Sequence, residues 1–429
     1  MLKSILIAGI TCVLLIASII FFPKIKAGKM QISTYIVVSL TGAIFMLLLG
    51  VVNFEDIFKA MTSEDSVNPI KILILFFSMT IISIYLDEVG FFKYLACKST
   101  KFAKKSQYSL FFILYLFASV LTVFTSNDIV ILTFIPFICY FCKNANINPI
   151  PYLVACFVGA NTWSMMLIIG NPTNIYLATS YHIDFISYLE VMALPTLMAG
   201  VVEIVLLLLI FHRPLKKSMD VNEEEYHIQS KFDLIVGVSH LAICLIFLVI
   251  SSYIHLEMYL ISLICALSLI AFNLVSSLVQ RQKPHDLFMT IRRLPYELIF
   301  FVLSMFVIVE GLRISGVTEE FYYFLGTGLE VYKYGYSSFL VCNLINNIPM
   351  SVFYANIPNM TLGALYASII GSNLGAFLTP IGALAGIMFT NLLSKQNIRY
   401  SFLDFIKYGV LVSLPTITAS LFVLSLLVS

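Results

Sequence analysis

The sequence predicts an all-α polytopic membrane protein made of two inverted repeats, each with five transmembrane helices and one re-entrant helical hairpin. Three observations predict it. Of 429 residues, 60% are hydrophobic and only 11% are charged, against about 25% charged in soluble globular chains. Apolar runs long enough for a hydrocarbon core of roughly 30 Å recur from Lys3 to the last residues, with no soluble domain between them. Four polar motifs then occur twice, in the same order along the chain.

Phe77-Ser78-Met79 with Gly90 downstream recurs as Leu303-Ser304-Met305 with Gly316 at the same spacing. Thr125-Ser126-Asn127-Asp128 is matched by the asparagine-rich run from Asn343 to Asn347. Ala160-Asn161 followed by Gly170 is matched by Ser372-Asn373 followed by Gly382, and Leu194-Pro195-Thr196 by Leu414-Pro415-Thr416. The first repeat occupies 1–212, a polar linker 213–231, and the second repeat 232–429.

In chain order, crossings are expected over 4–22, 31–52 and 70–87. Residues 107–143 are apolar but interrupted by polar residues at their midpoint and flanked by lysines at both ends, so they enter and leave on one side as a hairpin. Crossings over 150–180 and 186–211 complete the first repeat. The second repeats the plan with crossings over 232–250, 257–279, 296–312, 361–392 and 404–428, and a hairpin near 335–358. Five crossings is an odd number, so the second repeat is inverted relative to the first. The first apolar run is long for a signal peptide and lacks a small-residue cleavage site, so it reads as a span.

Lys24, Lys26 and Lys29, then Lys93, Lys98, Lys101, Lys104 and Lys105, then Arg213, Lys216 and Lys217 follow alternate spans. The positive-inside rule makes these segments and the central loop cytoplasmic. The acidic or polar segments 55–65, 180–184, 251–257 and 317–330 fall outside, with both termini. The expected location is the plasma membrane.

Lipid cannot satisfy a free backbone N–H or C=O, so broken helix at membrane depth has to line a protein-enclosed cavity. That marks the candidate binding residues. The first hairpin tip offers Thr125, Ser126, Asn127 and Asp128; the second offers Asn343, Asn346, Asn347 and Pro349. Each half also carries an interrupted crossing: Asn161 and Thr162 followed by Gly170-Asn171-Pro172-Thr173-Asn174, and Ser372 and Asn373 followed by Thr379, Pro380 and Gly382. Proline and glycine unwind the helix there. Half-helix N-termini then suit an anion, and freed carbonyls with Asn and Thr oxygens suit a small cation. The bland reading is that such residues only glue or kink helices.

Asp128 is the sharpest single residue, because an intramembrane carboxylate costs roughly 2.5–3.5 kcal/mol to insert. It reads as a cation ligand or proton carrier, or as the helix N-cap of the second hairpin leg. Glu203 belongs to no repeated cluster and reads as a scaffold contact. Glu297 and Glu310 sit near span ends, and Trp163 reads as packing beside Asn161. Cys139 and Cys142 form a C-x-x-C with no second ligand pair, so no metal site is expected, apart from Na+ near Ser126, Asn127, Asn346 and Asn347. Seven of the eight cysteines lie in apolar segments, which speaks against a disulfide framework.

Ser-Asn-Asp at a hairpin tip, G-N-P-T-N after Ala-Asn, N-N-x-P, and S-N-L-G with T-P-I-G in the second half together resemble the ion transporter superfamily. Within it the chain looks most like arsenite/antimonite efflux permeases and citrate-transporter-type carriers of divalent anions. The resemblance covers nearly the full chain. It implies an elevator-type carrier whose hairpins and broken helices move against a scaffold, often as a homodimer. It also implies one half-site at Ser126, Asn127 and 170–174, and another at Asn346, Asn347, Asn373, Thr379 and Gly382. The chain departs from sodium-coupled dicarboxylate carriers, which bear Ser-Asn-Thr at both tips.

The function expected is ion-coupled secondary active transport of a small anionic or oxyanion solute, driven by H+ or Na+ and needing no cofactor. The alternative is a Na+/H+ antiporter of the same superfamily. No His/Asp/Glu or Ser/His constellation at membrane depth points to an enzyme. The expected partners are the lipid bilayer and the solute, with no nucleic acid. No arginine stands in the motif clusters, which argues against a bulky multiply charged carboxylate.

Overall fold

A computed structural model describes residues 1–428 except 23, 28–29, 63–67, 103–105, 218, 220–227, 229 and 282–283. Lys29, Lys104, Lys105 and most of the linker lie outside the described residues. The first half runs α1 (Leu2–Phe21), a strand pair β1 (Lys24–Ala27) and β2 (Met30–Ser33), α2 (Thr34–Leu48), α3 (Phe54–Thr62), α4 (Pro69–Glu88), α5 (Phe91–Phe102), α6 (Gln107–Phe124), α7 (Asn127–Asn144), α8 (Ile150–Trp163), a 3-10 turn (Ile168–Gly170), α9 (Pro172–Ser180) and α10 (Phe185–Leu215). The second half runs α11 (Lys231–Val249), α12 (Ser251–Ile254), α13 (Met258–Val279), α14 (His285–Arg293), α15 (Glu297–Ile314), α16 (Val317–Leu325), α17 (Glu330–Ile345), α18 (Asn347–Ala355), α19 (Leu362–Gly375), α20 (Leu384–Lys395) and α21 (Phe402–Leu427).

Capping residues fix where several of these helices begin. Asn68 Oδ1 accepts from Ile70 N at 2.9 Å and Asp184 Oδ1 from Ile186 N at 2.9 Å, while Ser401 and Asp404 form a capping box. Glycine ends two of them. Gly90 and Gly316, the matched pair of the sequence repeat, both stand at positive φ (+86° and +77°) just beyond α4 and α15. At Gly316 the chain bends by 74° into α16.

Side-chain bonds sort the helix ends into two ends of the molecule. At one, Ser33 Oγ donates to Glu297 Oε2 (2.6 Å), Tyr108 Oη to His212 O (2.9 Å), and Arg293 pairs with Asp87 at 2.7 Å. At the other, Lys71 pairs with Glu257 at 2.8 Å and Thr361 Oγ1 donates to Glu330 Oε2 at 2.6 Å. From the first end, α6 and α8 run side by side to mid-depth, with Gly159 against the Tyr115 ring, and α7 turns back antiparallel to α6. From the second end, α17 and α19 run side by side to mid-depth, and α18 turns back, with Tyr354 Oη donating to Ser337 Oγ at 2.8 Å. Both helix pairs are therefore hairpins, and they open at opposite ends of the molecule.

Seven described helices are long and apolar enough to cross a membrane, eight with the bent α15–α16 pair. These eight include α6, a leg of the first hairpin; the expected count of ten crossings leaves α6 out and adds α2, whose 15 residues fall short because 24–33 form the strand pair, and the two broken crossings α8–α9 and α19–α20. The second hairpin starts at Glu330, earlier than the sequence pattern places it, because α17 is partly polar at that end.

The seam between α17 and α19 is a close backbone approach of the small-residue kind. A Cβ on Gly371 would lie 2.2 Å from Gly335 O, and one on Gly375 2.8 Å from Phe339 O. Backbone oxygens cannot swing aside, so Gly371→Ala is expected to destabilise the protein by about 1–3 kcal/mol. A lower melting midpoint by fluorescence-detected thermal shift in detergent checks this; an unchanged midpoint contradicts it.

Candidate functional site

Both broken crossings meet in one buried asparagine cluster. Asn373, two residues before the end of α19, uses its whole side-chain capacity there. Its Oδ1 accepts from Ser164 Oγ at 2.9 Å and Asn171 Nδ2 at 3.0 Å; its Nδ2 donates to Asn174 Oδ1 at 2.7 Å and Ile369 O at 2.9 Å. Asn174 Nδ2 donates to Ser164 O at 2.8 Å and to Leu167 O at 3.2 Å, which also accepts from Gly170 N, and so ties the segment after α8 to α9. Thr173 and Ser372 share a hydrogen bond at 3.3 Å. Asn171 caps α9, whose first residue is Pro172. Gly170 is packed so that a Cβ would sit 2.1 Å from Ser164 O. Ser164 is absent from the sequence-derived set, because Ala376 stands at its corresponding position and the repeat gives no signal for it.

The hairpin tips attach to this cluster from either side. Asn127 Nδ2 donates to Asn161 Oδ1 at 3.0 Å, and Asn127 Oδ1 accepts from Asp128 N at 2.9 Å. Asn343 Nδ2 donates to Gly375 O at 2.9 Å, and its Oδ1 accepts from Thr379 Oγ1 at 2.6 Å. Asn346, at φ +74°, donates to Ile381 O at 3.0 Å, and Asn347 N donates to Gly382 O at 2.9 Å. Gly382 lies where a Cβ would be 2.8 Å from Gly375 O. Thr125 turns away, its Oγ1 donating to Leu121 O. Pro349 lies in the first turn of α18, and Pro380 lies in the link before α20, where it closely approaches Gly386. No hydrogen bond joins one tip to the other among the described residues.

Three polar groups at the tips have no hydrogen-bond partner among the described residues: Ser126 Oγ, the Asp128 carboxylate and the Asn347 side-chain amide. Ser126 and Asn347 are 6% and 3% exposed, too little for water to satisfy them freely. Asp128 is not the N-cap of α7. Ser126 holds that position, and Asp128 lies in the first turn, its charge beside the positive end of the helix. α9 packs on α18, and α7 on α20.

The remaining acids divide clearly. Glu310 forms a two-bond ion pair with Arg313, at 2.8 Å to Nε and 2.5 Å to Nη2, and Glu297 is held by Ser33. Glu203 is fully buried in α10; Tyr115 Oη donates to its Oε1 at 2.5 Å and Thr162 Oγ1 to its Oε2. Trp163 packs on Gly200 and donates to Tyr115 Oη at 2.8 Å. Tyr115 carried no sequence signal, since its partners lie far along the chain. Cys139 and Cys142 are both buried free thiols.

A cavity of about 530 Å³ opens at the second end of the molecule, lined by Lys71, His182, Asp184, His255 and Glu257 among others. It touches none of the cluster residues. It lies at the C-terminal end of α9, whose N-terminus carries Asn171.

Asn373→Ala is expected to cost about 2–4 kcal/mol, because it strands buried donors and acceptors at about 1–3 kcal/mol each. Asn347→Ala, with no side-chain bond to lose, is expected to leave the melting midpoint near wild type. Thermal unfolding of the two variants in detergent compares them directly; equal destabilisation contradicts the assignment of bonds.

Residues 13–362 match the sequence model of a family described as citrate transporter. The chain is 25% identical over 440 residues to an arsenical pump membrane protein of Escherichia coli, with 99% of each chain covered. It is 24% identical over 407 residues to a putative arsenical pump membrane protein of Bacillus subtilis, covering 86% of this chain and 89% of that one. Its fold is similar to the YdaH transporter of Alcanivorax borkumensis, with a TM-score of 0.58 and 13% identity over 99% of this chain and 97% of that one. The MtrF structure of Neisseria gonorrhoeae gives a TM-score of 0.52 and 11% identity over 99% and 94%. Likeness at these identities is one of fold.

Proposed function

This chain belongs to the citrate transporter family, and on that premise we propose that it is an ion-coupled secondary active transporter of a small anionic or oxyanion solute. The solute is of arsenite/antimonite or carboxylate type, and it crosses the cell membrane by alternating access. The observation that carries the reading is the set of partnerless groups at the hairpin tips: Ser126 Oγ, the Asp128 carboxylate and the Asn347 amide. Ser126 Oγ, buried without a partner among the described residues, costs about 1–3 kcal/mol, which a bound solute or ion would offset, and the half-buried Asp128 carboxylate and the Asn347 amide stand beside it with bonding capacity to spare. The full-length relatives named as arsenical pumps favour the oxyanion end of the range.

Electrostatics supplies the coupling. An anion drawn to the N-terminus of α7 meets the Asp128 carboxylate, and in a medium of low dielectric the two repel. A proton on Asp128, or Na+ held by oxygens of Ser126, Asn127, Asn346 and Asn347, removes that repulsion. Solute and cation then bind better together than apart. The broken crossings contribute Asn161, Thr162, Gly170, Asn171, Pro172, Thr173, Asn174, Ser372, Asn373, Thr379, Pro380 and Gly382 as the frame of the site.

The same proposal takes the two halves as inverted repeats and the hairpins with their broken crossings as the moving body of an elevator. The parallel pairs α6–α8 and α17–α19, each entering from its own end, support this. It orients the central loop to the cytoplasm.

Uptake and efflux of arsenite, citrate and succinate in everted vesicles under imposed pH and sodium gradients tests the reading. Gradient-driven flux of one of these solutes is expected, reduced about tenfold or more in Asp128→Asn. Sodium/proton exchange with no solute requirement would establish the antiporter instead; full transport by the variant would remove Asp128 from coupling.

A further inference from the structure

We propose that Glu203 is a proton-binding site of this carrier, distinct from Asp128 and linked to the solute site through Thr162. The inference rests on the geometry of one buried carboxylate and goes beyond the coupled-transport reading, which places the ion at the hairpin tips.

Glu203 is completely buried in α10, roughly 18 Å along the helix axis from Leu215 at 1.5 Å rise per residue. A carboxylate at such depth that only glued helices together would gain from a cation partner. It has none. The elements packed on α10 include α6, α8, α11, α21, the 3-10 turn and α19, whose Tyr366 meets the start of α10 at Ser187 and Tyr188, far along the helix from Glu203. The sole titratable group that any of them turns toward Glu203 is Tyr115 of α6, and no lysine, arginine, histidine or second acid pairs with it among the described residues.

Proton bookkeeping shows what the arrangement allows. With Glu203 charged, Tyr115 Oη–H donates to Oε1 and Thr162 Oγ1–H donates to Oε2, so both oxygens are satisfied. Tyr115 Oη also lies 3.1 Å from Gly200 O, a second acceptor for the same hydrogen. With Glu203 neutral, the added proton sits on Oε1 and donates to Tyr115 Oη, which in turn donates to Gly200 O. The Tyr115 oxygen then accepts from Glu203 and from Trp163 Nε1 at 2.8 Å, its full capacity. One proton is gained, the charge goes from minus one to zero, and only hydroxyl rotation is needed. The Trp163 ring packs on Gly200 beside the pair.

A purely structural glutamate needs no second acceptor for its tyrosine. The link to the solute site is short. Thr162 follows Asn161 directly, and Asn161 holds the Asn127 tip amide. Tyr115 and Thr162 belong to α6 and α8, the two helices that carry the first tip and the first break. Movement of either changes the donors that Glu203 receives, and so its proton affinity.

Infrared spectroscopy of the purified full-length protein tests this at the proton itself. A neutral-carboxyl stretch is expected that is absent from Glu203→Gln, titrates between mildly acidic and mildly alkaline pH, and shifts in Tyr115→Phe, which keeps the acid but deletes the relay. A Glu203 signal that stays neutral or stays ionised over that whole range overturns the proposal. In proteoliposomes, the ratio of pH-gradient-driven arsenite or citrate accumulation to solute exchange is expected to fall about tenfold in Tyr115→Phe or Glu203→Gln. Where wild-type accumulation follows the pH gradient, an unchanged ratio in both variants also overturns it. Wild-type transport that ignores a pH gradient while the infrared band still titrates would defeat proton coupling in the transport reading and leave Glu203 as a proton site.

Discussion

A helix that stops inside a bilayer leaves carbonyls that lipid cannot satisfy, and the structure meets that constraint with asparagine. Asparagine amides turn onto backbone carbonyls at the first broken crossing and between the second tip and the second broken crossing: Asn174 onto Ser164 and Leu167, Asn343 onto Gly375, Asn346 onto Ile381. Asparagine suits the task because one short side chain carries two donors and an acceptor oxygen. Its donors close the backbone while its oxygen remains for another amide or hydroxyl. Asn373 shows the limit of this economy, with all four positions used and both halves of the chain joined through it. What is not consumed in closing the breaks is left at the hairpin tips, and those leftovers define the candidate site.

The two tips are not equivalent. The second is tied into its own broken crossing by the amides of Asn343 and Asn346 and by the backbone of Asn347. The first holds to Asn161 by a single side-chain bond and carries the acid. A charged residue thus sits on the less tethered tip, and its partner tip offers only neutral groups. Two tips built from matched sequence motifs thus differ in charge and in tethering.

Most of the architecture is legible in the sequence because the bilayer imposes length and apolarity on every segment. The apolar runs expected to cross are helical, apart from the strand at the start of 31–52, and all four polar interruptions fall at helix breaks. The matched glycines Gly90 and Gly316 recur because each ends a helix in the left-handed region, and Thr196 and Thr416, beside matched prolines, both bond back to the carbonyl four residues earlier. The strand pair over 24–33 and the amphipathic helices α3, α5, α14 and α16 were not legible, since short interfacial elements lack a bilayer-length signal. Ser164 and the Tyr115–Glu203 pair were hidden for another reason. Their roles come from partners 85 or more residues away that only the packing brings near.

The glycine seam between α17 and α19 bears on how the protein is made. At 16 residues, α17 spans about 24 Å, short of a hydrocarbon core, and it ends in mid-bilayer with Asn343 and Asn346 seeking carbonyls that belong to the next crossing. Those carbonyls, Gly375 and Ile381, are synthesised some thirty residues later. A nascent chain cannot leave the second hairpin in lipid on its own merits. The hairpin has to be held at the membrane surface or by the insertion machinery until α19 emerges, then enter with it as a three-helix unit whose zipper is Gly371 and Gly375.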